Sequence, residues 1–156
     1  MTSNLKLIKK FKRKTKTMES EPVNIKLTLS GTYWDDKPKA RVYVNNEVIF
    51  DNEVSEAVNV NWTGNLPEGE HSLIVELYDK NKYQTVLENE KIIKDQLLNI
   101  DEVKFDDIDI GLLKHTLSTY TQHDNVVEDS CVNIGINGKW ELKFSMPIYI
   151  WLLENI

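Results

Sequence analysis

The feature that most constrains this chain is a two-residue hydrophobic alternation that recurs in short segments. Val23, Ile25, Leu27 and Leu29 alternate with polar neighbours. Successive side chains of a strand point to opposite faces, so this pattern predicts a half-buried strand. About ten such segments follow one another, with turn signals at intervals of roughly ten residues. The spacing predicts an all-β fold, an antiparallel β-sandwich or jelly roll.

Turn residues indicate how some of these segments connect. Asn45-Asn46 lies between two alternating segments, and Asn137-Gly138 lies between two others. Both pairs tolerate positive φ, so each predicts a two-residue β-hairpin. The apolar run at residues 148–153 predicts a last strand, either covered on both faces or used in assembly.

The charge of the chain is unevenly distributed. The whole chain carries −6, residues 1–16 carry +7 with no acid, and the rest therefore carries −13. This asymmetry predicts a basic N-terminal arm, residues 1–20, on an acidic β-sandwich domain, residues 21–156. The arm residues predicted to bind a partner are Lys6, Lys9, Lys10, Phe11, Lys12, Arg13, Lys14 and Lys16.

The arm could meet several kinds of partner. An acidic protein surface in a larger assembly fits best, because opposite charges steer docking. Nucleic acid is disfavoured because the body of the chain is acidic. A membrane is disfavoured because the arm has little apolar surface and no run of about 18 apolar residues occurs. We also expect no secretion signal, because polar residues follow the basic start at once.

The sequence contains no recognisable catalytic signature, and we expect a protein that is not an enzyme. His71, His115 and His123 are far apart and lack metal-ligand spacing. No glycine-rich phosphate loop or nucleophile elbow occurs. Cys131 is the single cysteine, which excludes an internal disulfide and a cysteine-based zinc site. We expect it to be a buried, inert thiol in a strand.

A long polar segment separates the strands predicted at residues 71–78 and 97–105. A loop of about 18 residues in a small domain commonly binds something or is held by something. Asp79 closes the first strand and Asp95 opens the second. If the two strands lie side by side, both carboxylates meet at one end of the sandwich, where a hard cation could bind. The alternative is two solvated loop acids.

A family resemblance rests on this segment. The runs GEHSLIVELYDKNKY and KDQLLNIDEVKF resemble the central part of small calcium-dependent xylan-binding carbohydrate-binding modules. The resemblance implies a β-sandwich in which calcium, held around the loop, contacts sugar hydroxyls. Asp79 matches the family's acidic turn, Asp95 the acid that opens the next strand, and Asp101 its closing aspartate. The chain departs from the family at Gln96-Leu97, where arginine-asparagine is usual, and in having a single acid in the turn. It also has a lysine at position 80, next to the proposed ion, which would weaken ion binding.

Aromatic residues in loops are the candidates for stacking on a sugar ring. They are Tyr33, Trp34 and Tyr83. No cofactor is predicted with certainty, and calcium is the ion that the resemblance implies.

A second resemblance involves the end of the chain. CVNIGINGKWELKFSMPIYIWLLENI and QLLNIDEV are similar to segments of small uncharacterised proteins of large tailed bacteriophages. This implies a decoration, neck or tail protein of the virion, present in the host cytoplasm during assembly and bound to other virion proteins. Our leading hypothesis is such a non-enzymatic structural protein, docked through its basic arm. The alternative is a carbohydrate-binding module for host-surface glycans.

Overall fold

The computed structural model describes residues 20–128 and 130–156. Within these residues the chain forms antiparallel sheets that build an all-β sandwich, so the predicted fold class is confirmed. The predicted arm lies outside the described residues, except for Ser20, which begins the first strand.

The described residues contain thirteen strands and three short helices. The strands are β1 (Ser20–Thr32), β2 (Lys39–Val44), β3 (Glu47–Glu53), β4 (Val58–Pro67), β5 (Gly69–Tyr78), β6 (Val86–Glu88), β7 (Lys91–Lys94), β8 (Leu97–Phe105), β9 (Ile108–Asp109), β10 (Ser118–Gln122), β11 (Val127–Glu128), β12 (Asn133–Ile134) and β13 (Gly138–Met146). The helices are a 3₁₀ helix (Lys82–Gln84), α1 (Leu113–Thr116) and α2 (Ile148–Asn155).

The strands form two large sheets and a small ribbon. The first sheet has the order β12-β8-β1-β4, with β9 also paired to β8. The second has the order β11-β10-β13-β5-β2-β3, and β6 pairs with β7 in the ribbon. β5 and β8, which flank the long polar segment, therefore belong to different sheets.

The core lies between the two sheets and follows the period-two pattern. In β1, Val23, Ile25, Leu27 and Leu29 are buried, and the residues between them are not. Alternate residues of β5 are buried in the same hydrophobic cluster. Each sheet thus has one apolar face, and burying these two faces against each other stabilises the fold.

The first predicted hairpin is confirmed. β2 pairs with β3, and Asn45 in the turn has a φ of 55°. Asparagine tolerates this left-handed conformation better than most residues.

The second predicted hairpin, at Asn137-Gly138, is wrong. β12 pairs with β8 in the first sheet, whereas β13 pairs with β10 and β5 in the second. The chain therefore crosses between the sheets at this point. Contacts distant in sequence hold the crossing: the Asn137 side chain bonds to the backbone of Lys80, and a Cβ on Gly138 would lie 2.5 Å from the Thr121 carbonyl oxygen.

The strand predicted at residues 148–153 is also wrong, because this segment lies in α2. Its buried side chains are Ile148, Trp151 and Leu152, at the i, i+3 and i+4 spacing of a helix. An apolar run of this length satisfies either a helix or a strand pattern. No helix in the described part of the chain is long and apolar enough to cross a membrane.

Two smaller predictions need correction. The polar segment between β5 and β8 is not irregular throughout, since it contains the 3₁₀ helix and the β6–β7 ribbon. Cys131 is half-buried and lies outside the strands, and its thiol donates a hydrogen bond to the carbonyl oxygen of Asn133 (Sγ···O 2.8 Å).

Candidate functional site

The strand registers bring several loops to one end of the sandwich. Lys39 at the start of β2 pairs with Tyr78 at the end of β5. Thr32 at the end of β1 pairs with Leu97 at the start of β8. The loops at residues 33–38 and 79–96, which differ widely in sequence position, therefore meet at this end.

These loops enclose a polar cleft of about 180 Å³, which we call the strand-end cleft. Its walls consist of carboxylates, amides and ammonium groups. The lining residues are Asp36, Lys37, Lys39, Glu53, Asp79, Asn81, Gln84 and Gln96.

Two buried amides fix the floor of the cleft. The Gln84 side chain donates to an Asp35 carboxylate oxygen (3.1 Å) and accepts from the Asp36 N–H (3.2 Å). The Gln96 side chain donates to the Asp36 carbonyl oxygen (2.8 Å). Both glutamines are buried, so their hydrogen bonds hold the loop at residues 33–38 against the polar segment. The sequence offered no signal for them, because isolated polar residues in a loop form no pattern.

The structure brings two of the predicted aromatic residues to this end. The Trp34 ring is 44% exposed, and its Nε1–H donates to the Gln84 carbonyl oxygen (2.8 Å). Tyr83, the neighbour of Gln84, is 70% exposed. Tyr33 is half-buried. The exposed rings of Trp34 and Tyr83 therefore lie on segments that contact each other beside the cleft.

Each exposed ring has a lysine ammonium over one face. Lys94 Nζ lies 4.8 Å from the centroid of the Trp34 ring, and Lys82 Nζ lies 5.2 Å from that of Tyr83. These are cation–π distances, and at exposed sites such contacts are worth about 0.5–1 kcal/mol. An ammonium group therefore lies over one face of each ring.

Asp79, a predicted metal ligand, is an exposed residue on the wall of the cleft. Its φ is 55°, its side chain is 70% exposed, and its carboxylate lies 3.9 Å from Lys39 Nζ. An ion pair this exposed contributes little to stability.

Asp95, the other predicted metal ligand, is held very differently. Its side chain is 18% exposed, and Oδ1 accepts from Lys80 Nζ (2.7 Å), Thr85 Oγ1 (2.7 Å) and the Gln96 N–H (2.8 Å). Burial alone would raise the pKa of the Asp95 carboxyl, but these hydrogen bonds outweigh burial and lower that pKa.

This lowered pKa predicts a loss of stability in acid. A carboxyl with a depressed folded-state pKa stabilises the fold fully above its unfolded pKa, about 3.9, and loses that contribution as the pH falls through the folded value. The Asp51 and Asp107 carboxyls also have lowered pKa values, through hydrogen bonds from Tyr78 and Lys26. As the pH is lowered below about 4, we therefore expect the urea concentration at the unfolding midpoint to decrease less steeply in Asp95→Asn than in the wild type. Identical slopes would contradict the assignment.

The contacts around Asp95 do not fit a calcium ion. Calcium takes six to eight oxygen ligands at about 2.3–2.6 Å, whereas the Lys80 ammonium already lies against the carboxylate. Among the described residues, no three or more His, Cys, Asp or Glu side chains come together as a metal-binding group. Calcium binding by Asp79 and Asp95 stays a prediction that the described contacts do not favour.

The predicted partner surface lies outside the described residues. Its members are Lys6, Lys9, Lys10, Phe11, Lys12, Arg13, Lys14 and Lys16. Docking through the arm, the virion role and the virion location therefore stay predictions.

Comparison with known proteins gives two structural matches. No protein-family model and no curated protein sequence matches this chain. One similar solved structure is vCBM60 in complex with galactobiose, with a TM-score of 0.49 and 10% identity over 76% of this chain and 96% of that chain. Another is the selenomethionine form of vCBM60, from a study linking two families of calcium-dependent carbohydrate binding modules. Its TM-score is 0.47, with 11% identity over 77% of this chain and 89% of that chain.

Proposed function

We propose that this chain is a non-catalytic carbohydrate-binding domain that takes a glycan at the strand-end cleft. The observation that carries the proposal is the pairing of a small polar cleft with two exposed aromatic rings, Trp34 and Tyr83, on its rim segments. Ligand sites typically combine a concave surface with a few well-placed polar groups.

Each ring offers the flat face that no lysine ammonium covers to the C–H face of a sugar. Trp34 is anchored by its hydrogen bond to the Gln84 carbonyl oxygen, so its orientation is set before a ligand arrives. Ordering a side chain in advance reduces the entropy lost on binding. A fixed indole beside a polar cleft is therefore suited to stacking.

The cleft offers hydrogen-bond partners of both kinds to sugar hydroxyls. Carboxylates such as Asp36 and Asp79 accept hydrogen bonds, and ammonium groups such as Lys37 and Lys39 donate them. A hydroxyl group does both, so a polyol can satisfy this mixed lining better than an ion of one sign.

Binding is expected to weaken about tenfold or more when either ring is removed. Truncating an anchoring Trp or Tyr commonly costs more than about 1.4 kcal/mol, which is a tenfold change in Kd. The measurement is a glycan array followed by calorimetric titration of Trp34→Ala and Tyr83→Ala. Xylo-oligosaccharides are probes suggested by the sequence resemblance, and galactobiose is the ligand seen with vCBM60.

The matched control is Tyr149→Ala. Tyr149 is also an exposed aromatic residue, but it lies in α2, which follows the end of β13 that pairs with the start of β5. That is the end of the sandwich opposite the cleft. A wild-type chain that binds no glycan, or equal binding by Trp34→Ala and the wild type, would refute the proposal.

A further inference from the structure

Lys80 is a buried cation at the base of the segment that follows β5. Its side chain is 6% exposed. Its ammonium donates to Asp95 Oδ1 (2.7 Å) and to the carbonyl oxygen of Gly135 (2.5 Å). A buried charge is stable only when it is paired and hydrogen-bonded, and here a carboxylate and a carbonyl supply both.

The backbone of Lys80 is held as firmly as its side chain. Asn137 Oδ1 accepts from the Lys80 N–H (2.9 Å), and Asn137 Nδ2 donates to the Lys80 carbonyl oxygen (3.1 Å). This two-way amide contact joins residues 57 positions apart. It fixes where the lysine side chain begins and therefore where its ammonium lies.

Gly135 lies next to the ion pair and to Leu97. A Cβ at this position would lie 3.0 Å from Leu97 Cδ2, 3.7 Å from Asp95 Oδ2 and 4.0 Å from Lys80 Nζ. A side chain there would press on the Leu97 methyl group, while its distances to the ion pair are those of ordinary van der Waals contact.

The three segments that meet at Lys80 Nζ belong to different parts of the sandwich. Lys80 follows β5 of the second sheet, Asp95 precedes β8 of the first sheet, and Gly135 lies in the crossing between them. The ammonium therefore joins the two sheets at the end that carries the cleft.

We propose that the Lys80 ammonium is a built-in cation that takes the place of a metal ion at this end of the fold. The ammonium contacts the Asp95 carboxylate, which the sequence resemblance implies as a calcium ligand. It also donates a hydrogen bond to the Gly135 carbonyl oxygen, a group that could coordinate a metal ion. A single positive charge matches the one close carboxylate. In the described part of the chain the ammonium contacts two oxygens, from Asp95 and Gly135, whereas calcium takes six to eight. The proposal concerns the ion site and does not depend on sugar binding.

The test compares wild type, Lys80→Met and Lys82→Met, each as the full chain, in excess calcium chloride and in excess EDTA. We expect the wild-type Tm to be the same in both solutions and calorimetry to show no saturable calcium binding. Lys80→Met keeps the chain length but removes the charge, so we expect its Tm to fall by roughly 5 °C or more in both solutions. Lys82→Met removes an exposed charge two residues away, and we expect it to change the Tm little.

Two results would contradict the proposal. Saturable calcium binding by the wild type that disappears in Asp95→Asn would overturn the proposal, as would a wild-type Tm that rises with calcium. If Lys80→Met does not fold, the wild-type titration alone decides.

Discussion

Replacing Asp95 with alanine is expected to lower the free energy of unfolding by about 3 kcal/mol, because removing one partner of a buried ion pair leaves the other uncompensated. The Lys80 ammonium is 6% exposed and, of its partners among the described residues, would keep only the Gly135 carbonyl oxygen. The Thr85 hydroxyl and the Gln96 N–H would lose their acceptor as well. Urea denaturation measures the loss, and the Tm should drop by about 6–12 °C in a chain of this size.

Asp79→Asn is the control for this prediction, because asparagine removes the charge and still tolerates the positive φ at this position. Asp79 is also an aspartate at this end of the sandwich, but its side chain is 70% exposed and its nearest cation lies 3.9 Å away. Removing its charge should change stability by less than about 0.5 kcal/mol. If calcium joined both carboxylates, the two variants would instead lose similar stability, and EDTA would abolish the difference from wild type.

A double variant distinguishes the effect of the two charges from the effect of the volume that the two side chains fill. Lys80→Met combined with Asp95→Val replaces both charges with apolar side chains, and valine is closer to aspartate in size than leucine is. Such replacements of a buried pair are often neutral, so the double variant should recover the part of the Asp95→Ala loss that comes from the unpaired ammonium. The Thr85 hydroxyl and the Gln96 N–H stay without their acceptor. A double variant as unstable as the sum of the two single changes would show that the two residues act independently.

The strands could be predicted because their signal is local. The alternation of Val23, Ile25, Leu27 and Leu29 requires only that one face of a strand be buried, and the Asn45-Asn46 turn requires only its own backbone geometry. Neither depends on which strand becomes the neighbour. The fold class therefore follows from short windows of sequence.

The pairing of distant segments could not be predicted in this way. Asn137-Gly138 has strong local hairpin chemistry, yet the strand before it pairs with β8 and the strand after it with β5. Residues 148–153 are apolar at both helix and strand spacings, and packing of Trp151 and Leu152 decides for the helix. In both cases tertiary contacts select between local alternatives.

The site was predictable only in part for the same reason. Trp34 and Tyr83 were recognisable as loop aromatics, and the structure exposes both. The link between Lys80, Asp95 and Gly135 spans 15 and 55 positions, so it exists only once the two sheets have formed. Nothing in the sequence distinguishes a lysine and an aspartate that form a buried pair, such as Lys80 and Asp95, from two solvated loop charges.

The opposite end of the sandwich supplies the second large effect: Phe105→Ala is expected to cost about 3–5 kcal/mol, as for other buried phenylalanines. Phe105 is fully buried, and its ring centroid lies 4.9 Å from that of Phe144 and 5.5 Å from that of Trp151. The cavity would remove contacts between β8, β13 and α2 together.

Leu153→Ala, on the exposed face of α2, is the control and should change stability by less than about 0.5 kcal/mol. Because Phe105 and the strand-end cleft lie at opposite ends of β8, folded Phe105→Ala at low temperature should bind glycan as the wild type does. A stability loss below about 1 kcal/mol would contradict this account of the core.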